Sequence, residues 1–157
     1  MTAKTKTAPD ACRIVTVARQ LTAVVKIHAP MSELMQAQQA ARAKIAAALP
    51  TLDAGAAGLG VTLWHPPSEG RLYMEPGVLV ERAFAVAGEV VPSELPAGRA
   101  AHFLLVGSYA GLQDAWGTLL GWCGEEKLAL AGTNWEIYGT PNQDETKQTT
   151  SLYALLA

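Results

Sequence analysis

The sequence predicts an α+β fold: a duplicated β-α-β-β repeat, with an antiparallel sheet carrying two helices on one face and a ligand cleft on the other. Three observations carry that prediction. Two segments with helical apolar spacing each follow a Val/Ile/Leu-rich run and each precede two more such runs. Each copy is too small to bury both faces of its helix and hairpin, so the copies must complete one another. An uncovered apolar sheet face then needs loops, a partner or a ligand over it, because large exposed apolar patches are rare on monomers. The 157 residues suit one domain. Residues 1–10, polar and without an apolar run, read as a flexible N-terminus, and residues 11–157 as the domain, with repeats at about 11–90 and 91–157.

In chain order, Ile14 to Ile27 is rich in Val, Ile and Thr and reads as a strand broken around Arg19 to Thr22, ended by Pro30. From Ser32 to Leu49, the residues Leu34, Ala37, Ala41, Ile45 and Ala48 recur at three- and four-residue spacing, with Ser32 as N-cap and Pro50 as stop. That spacing predicts an amphipathic helix. After a Gly/Ala-rich link, Val61 to His65 reads as a strand bounded by Pro66-Pro67, and Val78 to Val86 as another bounded by Gly77 and Gly88. The second copy opens with a strand over Arg99 to Val106. A helix follows, marked by Leu112, Ala115, Trp116, Leu119 and Cys123; its Gly111, Gly117 and Gly121 each cost about 1 kcal/mol against alanine and suggest close approach to the sheet. Trp135 to Tyr138 and Thr149 to Leu156 supply the last two strands.

Composition excludes several function classes. A formal net charge of −2 with scattered Lys and Arg leaves no basic footprint for phosphates, so no direct nucleic-acid partner is expected. No run approaches the ~20 apolar residues of a membrane span, and no signal-like segment opens the chain, so the expected location is the cytoplasm. Cys12 and Cys123 lack any CxxC or CxxH companion and read as small buried residues. His28, His65 and His102 lack metal-ligand spacing, and there is no HExxH, GxSxG, P-loop or GxGxxG. No metal and no cofactor are expected.

Glu136 is the residue that stands out. It lies in a run, Trp135-Glu136-Ile137-Tyr138, that otherwise reads as a buried strand, and a carboxylate there needs a cation, a donor or a proton to offset its desolvation. Side chains alternate across a strand, so Glu136 and Tyr138 share one face and Trp135 and Ile137 the other. Aligning the repeats at Gly60 and Gly132 sets Trp64 at the position of Glu136 and Leu63 at that of Trp135. Leu63, Trp135 and Ile137 are assigned to the helix-covered core, and Trp64, Glu136 and Tyr138 to the open face. There a carboxylate ringed by indole and phenol suits a cationic or polarised aromatic ligand. The competing reading pairs Glu136 with Arg99 or Arg82 across the sheet. Tyr109, Tyr73 and His102 complete the candidate ligand-binding set, while Trp116 and Trp122 read as packing residues on the second helix.

The second half, from Leu95-Pro96-Ala97-Gly98-Arg99 through Val106-Gly107-Ser108-Tyr109, Ala115-Trp116, Leu119-Leu120, Trp122 and Trp135-Glu136-Ile137-Tyr138 to Thr150-Ser151-Leu152-Tyr153-Ala154, resembles the GyrI-like small-molecule-binding domains, the effector-binding domains of AraC- and MerR-type multidrug regulators. The resemblance covers about residues 11 to 157 and implies a duplicated β-α-β-β fold with a cleft. It implies that Glu136, with Tyr138 beside it, contacts lipophilic and often cationic ligands; Trp64 has no family motif behind it. Ser108 stands where many members carry proline, and Gly139-Thr140 where an acidic residue is common. The expected function is a stand-alone small-molecule-binding protein, a monomer or weak homodimer. The alternative is a hydrolase of strained, cyclopropane-bearing electrophiles, with Glu136 as the catalytic group that positions or activates water. A further alternative is a protein-interaction module with gyrase or a regulator as partner.

Overall fold

The computed structural model describes residues 11–157, so the expected flexible segment 1–10 lies outside the described residues. In chain order the elements are β1 (Cys12–Val17), β2 (Gln20–Val25), β3 (Ile27–Ala29), α1 (Met31–Ala48), β4 (Gly60–Ser68), β5 (Arg71–Leu79), β6 (Val90–Leu95), β7 (Gly98–Val106), α2 (Leu112–Glu125), β8 (Leu130–Tyr138) and β9 (Thr149–Leu156). The fold is α+β, with antiparallel strand pairing and two helices. The chain divides into two compact units: Ala18–Ala97, and Gly98–Ala157 joined by the described residues up to Val17.

In the first unit the strand order is β4-β5-β2-β6, with β3 also paired to β5. Helix α1 forms because Leu34, Ala41 and Ile45 fall on one stripe of an alanine-rich segment, and it buries that stripe against Ala23, Val25, Ile27, Met74 and Val90. Leu34 and Ile45 each contribute about 1.5–3 kcal/mol by leaving water. The helix starts at Pro30 without a side-chain cap, so Ser32 lies one residue inside rather than at the N-cap; Pro50 sits in the 3-10 turn that stops it. Met74, Leu72 and Val78 of β5 and Trp64 of β4 pack toward α1. By alternation, Tyr73, Glu75, His65 and Leu63 face the other way.

Two sequence expectations shift here. The strand expected at Val78 to Val86 lies earlier, as β5, and β6 was not foreseen. The turn-like Glu75-Pro76-Gly77 stays in the strand because of partners distant in sequence. Glu75 finds two donors, and Gly77 permits β2 to approach so closely that an added Cβ would lie 2.0 Å from the Ala23 carbonyl oxygen. Pro66-Pro67 falls inside β4 rather than bounding it, at an irregularity between His65 and Ser68 where the ladder needs no N–H from either proline. Glu69 (φ 55°) and Gly70 (φ 72°) then close a two-residue hairpin of the kind whose twist matches its strands.

In the second unit the order is β1-β7-β9-β8. The segment Ile14 to Ile27 is therefore not one broken strand: it parts at Ala18-Arg19, and β1 pairs with β7 from Cys12↔Phe103 to Val17↔Gly98. Helix α2 buries Ala115, Leu119 and Cys123 against Cys12, Ala101, Phe103, Leu152 and Ala154. A Cβ added at Gly117 or Gly121 would meet nothing within 4 Å, so these glycines serve no close approach to the sheet. Both cysteines are free and buried; burial pushes the Cys12 thiol up to about 11, reinforced by Cys123, whose own thiol burial also pushes up. No helix among the described residues is long and apolar enough to cross a membrane.

Candidate functional site

Glu136 is 5% exposed, and its neighbours account for both carboxylate oxygens. Trp116 of α2 donates from Nε1–H to Oε2 at 2.6 Å, and the Tyr138 hydroxyl donates to Oε1 at 2.6 Å. Tyr109 lies just before α2 and is 51% exposed; its ring stands edge-on to that of Tyr138 at 5.7 Å. The strand register explains the arrangement. Glu136 is opposite Leu152, which belongs to the α2 core, so the carboxylate points to the helix side.

That reverses the expected face. Glu136 and Tyr138 lie on the helix side of β8, whereas Trp135, expected in the helix-covered core with Ile137, lies on the opposite side and stacks on Tyr153 at 5.1 Å and 10°. Leu63 and Trp64 are exchanged in the same sense: Trp64 packs toward α1, and Leu63 is across from it. Period-2 alternation fixes which residues share a face but not which face meets the helix, and aromatic rings occupy both phases of these strands.

The other candidates are distributed over the two units. His102 is on β7, on the side away from α2, with its ring 4.8 Å from Tyr153. Burial lowers its pKa first, and Arg13, its register partner on β1, lowers it further. Tyr73 lies between His28 and His65, at ring distances of 5.7 and 4.5 Å. Trp64 is half-buried against the α1 core. Within the second unit, then, Glu136, Tyr138, Tyr109 and the unforeseen Trp116 come together, and His102 does not join them.

The electrostatics of Glu136 are unusual. An indole N–H and a phenol O–H bring no positive charge, and among the described residues Glu136 forms no ion pair. The competing pairing with Arg99 or Arg82 is not among the ion pairs of the described residues: Arg82 donates to Asp53 at 2.8 Å, and Arg99 is exposed on β7. Two hydrogen bonds to a charged acceptor offset part of its desolvation without balancing its charge. Among the described residues no group of three His, Cys, Asp or Glu is suited to a metal ion.

The domain is thus an α+β fold of antiparallel strands and two helices with an almost buried carboxylate under aromatic donors and no counter-charge among the described residues. The chain belongs to the family of GyrI-like small molecule binding domains, whose pattern matches residues 10–154. Among solved structures it is similar to the C-terminal domain of EcmrR, with a TM-score of 0.75 and 16% identity over 93% of this chain and 96% of that one. EcmrR has also been solved in a complex with DNA, where this chain corresponds to 56% of the EcmrR chain. It is likewise similar to SAV2435 bound to tetraphenylphosphonium (TM-score 0.70, 11% identity, 93% of each chain). A third similar structure is a hydrolase from Listeria innocua, with a TM-score of 0.61 and 12% identity over 98% of this chain and 95% of that one. At these identities the likeness is one of fold. No curated protein matches the chain.

Proposed function

We propose that this small-molecule-binding domain takes an apolar cation, held by charge pairing to Glu136 and by the rings of Trp116, Tyr138 and Tyr109. The observation that carries the reading is the carboxylate itself: 5% exposed, bonded by two uncharged donors, and without a counter-charge among the described residues. A delocalised organic cation is weakly hydrated, so it gives up little in leaving water, while the carboxylate gains the opposite charge it lacks. The aromatic neighbours add cation–π attraction of about 0.5–2 kcal/mol per well-placed ring. The binding of tetraphenylphosphonium by SAV2435, a protein of the same fold, is in keeping with this ligand class.

The hydrogen-bond pattern favours binding over water activation at Glu136. Both oxygens already accept short bonds, from Trp116 and from Tyr138, so a water at either one competes with a donor already in place. The same reading has the protein at work in the cytoplasm on a small molecule rather than on nucleic acid, in keeping with its net charge of −2 and dispersed cations.

A thermal-shift comparison tests the proposal. Tetraphenylphosphonium at about 100 times its Kd stabilises the native state by about 2.7 kcal/mol. Triphenylphosphine oxide, similar in bulk but uncharged, is expected to leave the melting temperature near that of the free protein. Equal shifts with both compounds, or none with either, contradict the cation reading.

A further inference from the structure

The first unit holds a second buried carboxylate, and its environment differs in kind from that of Glu136. Glu75 is 3% exposed and accepts from the Ser93 hydroxyl at 2.5 Å and from His65 Nε2–H at 2.6 Å. One of its two donors is an imidazole, a ring able to pass on a proton, where Glu136 has only an indole and a phenol. Burial is also divided unequally: the His65 side chain is 28% exposed and that of Glu75 4%. An accessible imidazole is thus anchored on an inaccessible carboxylate.

The anchoring fixes the ring chemistry. A carboxylate only accepts, so the His65 hydrogen sits on Nε2 and the lone pair is left on Nδ1, the nitrogen that Glu75 does not engage. This is the arrangement in which a buried carboxylate orients an imidazole as a general base. Tyr73, opposite His65 in the strand register, stands 4.5 Å from it and offers an aromatic wall.

We propose that His65, positioned by Glu75 and Ser93, is a general base for the hydrolysis of uncharged aryl esters. Water gives a proton to His65 Nδ1 as its oxygen forms a bond to the acyl carbon. The acyl–oxygen bond then breaks, and the departing aryloxide recovers the proton from the imidazolium, leaving a carboxylic acid and a phenol. An aryl ester is the fitting substrate for two reasons. The Glu75 side chain is 4% exposed and presents little charge to a ligand, and a phenol leaves without a stronger acid than the imidazolium, which an alkyl ester or amide requires. The aryl group lies against Tyr73. The proposal is independent of the reading of Glu136.

Hydrolysis of 4-nitrophenyl acetate by the full chain provides the test. The expected wild-type rate exceeds that of an equal concentration of free imidazole groups, slows in heavy water and shows no burst of 4-nitrophenol. His65→Gln is expected to lose about a hundredfold, the low end of general-base contributions. Glu75→Gln is expected to lose less and to change the pH profile, because it removes orientation rather than the base. Ser93→Ala, which deletes a single bond to the same carboxylate, gives that positional readout should Glu75→Gln fail to fold. His28→Ala is expected to match the wild type. A wild-type rate no greater than that of free imidazole, a burst from acyl transfer to a ring nitrogen, or a loss that follows His28 instead of His65 overturns the proposal.

Discussion

Trp116→Phe keeps an aromatic ring on α2 but deletes the donor that reaches Glu136 at 2.6 Å. A hydrogen bond to a charged group is worth about 1.5–3 kcal/mol, and at 5% exposure little water is available to replace the lost N–H. With a urea m-value of about 2 kcal/mol/M for a domain of this size, the denaturation midpoint falls by about 1 M at unchanged m. Smaller packing area alone gives the same sign, so the measurement is repeated in a Glu136→Gln background. There the acceptor is neutral, and bonds to neutral groups are about half as strong. The expected coupling energy is therefore about 1 kcal/mol. A midpoint shift below about 0.2 M, or the same cost in both backgrounds, refutes the argument that the indole N–H holds the carboxylate.

Three further outcomes follow from the packing. Gly77→Ala forces a Cβ to 2.0 Å from the Ala23 carbonyl oxygen, backbone that cannot move without breaking the β2–β5 pairing, so a loss of about 3 kcal/mol is expected in urea unfolding; a cost below about 1 kcal/mol contradicts it. The buried Thr150 hydroxyl has no hydrogen-bond partner among the described residues, so Thr150→Val is expected to raise stability by about 1 kcal/mol, and a loss of that size argues against the assignment. His102 has its pKa lowered by burial and then by Arg13, so the unfolded chain takes up a proton near pH 6.5 while the folded protein does not until lower pH. Stability is then lost as pH falls from 6.5 through the lowered value, and His102→Gln is expected to flatten that fall; identical pH slopes for the two proteins exclude it.

Much of the framework was legible because it rests on local periodicity. Helix α1 shows its three- and four-residue spacing, and β7 and β9 are continuous runs between clear breakers. The burial of Glu136 was legible too, since its flanking residues leave no polar side to that strand. Its direction was not. Alternation carries a period without a phase, and the phase here is set by Trp116 reaching across from α2, a contact made 20 positions away in sequence. Glu75 was hidden for the opposite reason. Pro76 and Gly77 mark a turn on any local reading, and only pairing with β4 and β2 and the donors His65 and Ser93, 10 and 18 residues distant, keep that stretch in a strand. The split of Ile14 to Ile27 between the two units depends likewise on long-range pairing with β7, which no short window contains.

The central claim is that Glu136, nearly buried and without a counter-charge among the described residues, selects a lipophilic cation. Calorimetric titration of the wild type and of Glu136→Gln with tetraphenylphosphonium tests it most directly, because the substitution removes the charge and preserves the shape. The account predicts that Glu136→Gln weakens binding tenfold or more, a loss of at least about 1.4 kcal/mol. Equal affinity in the two proteins contradicts it.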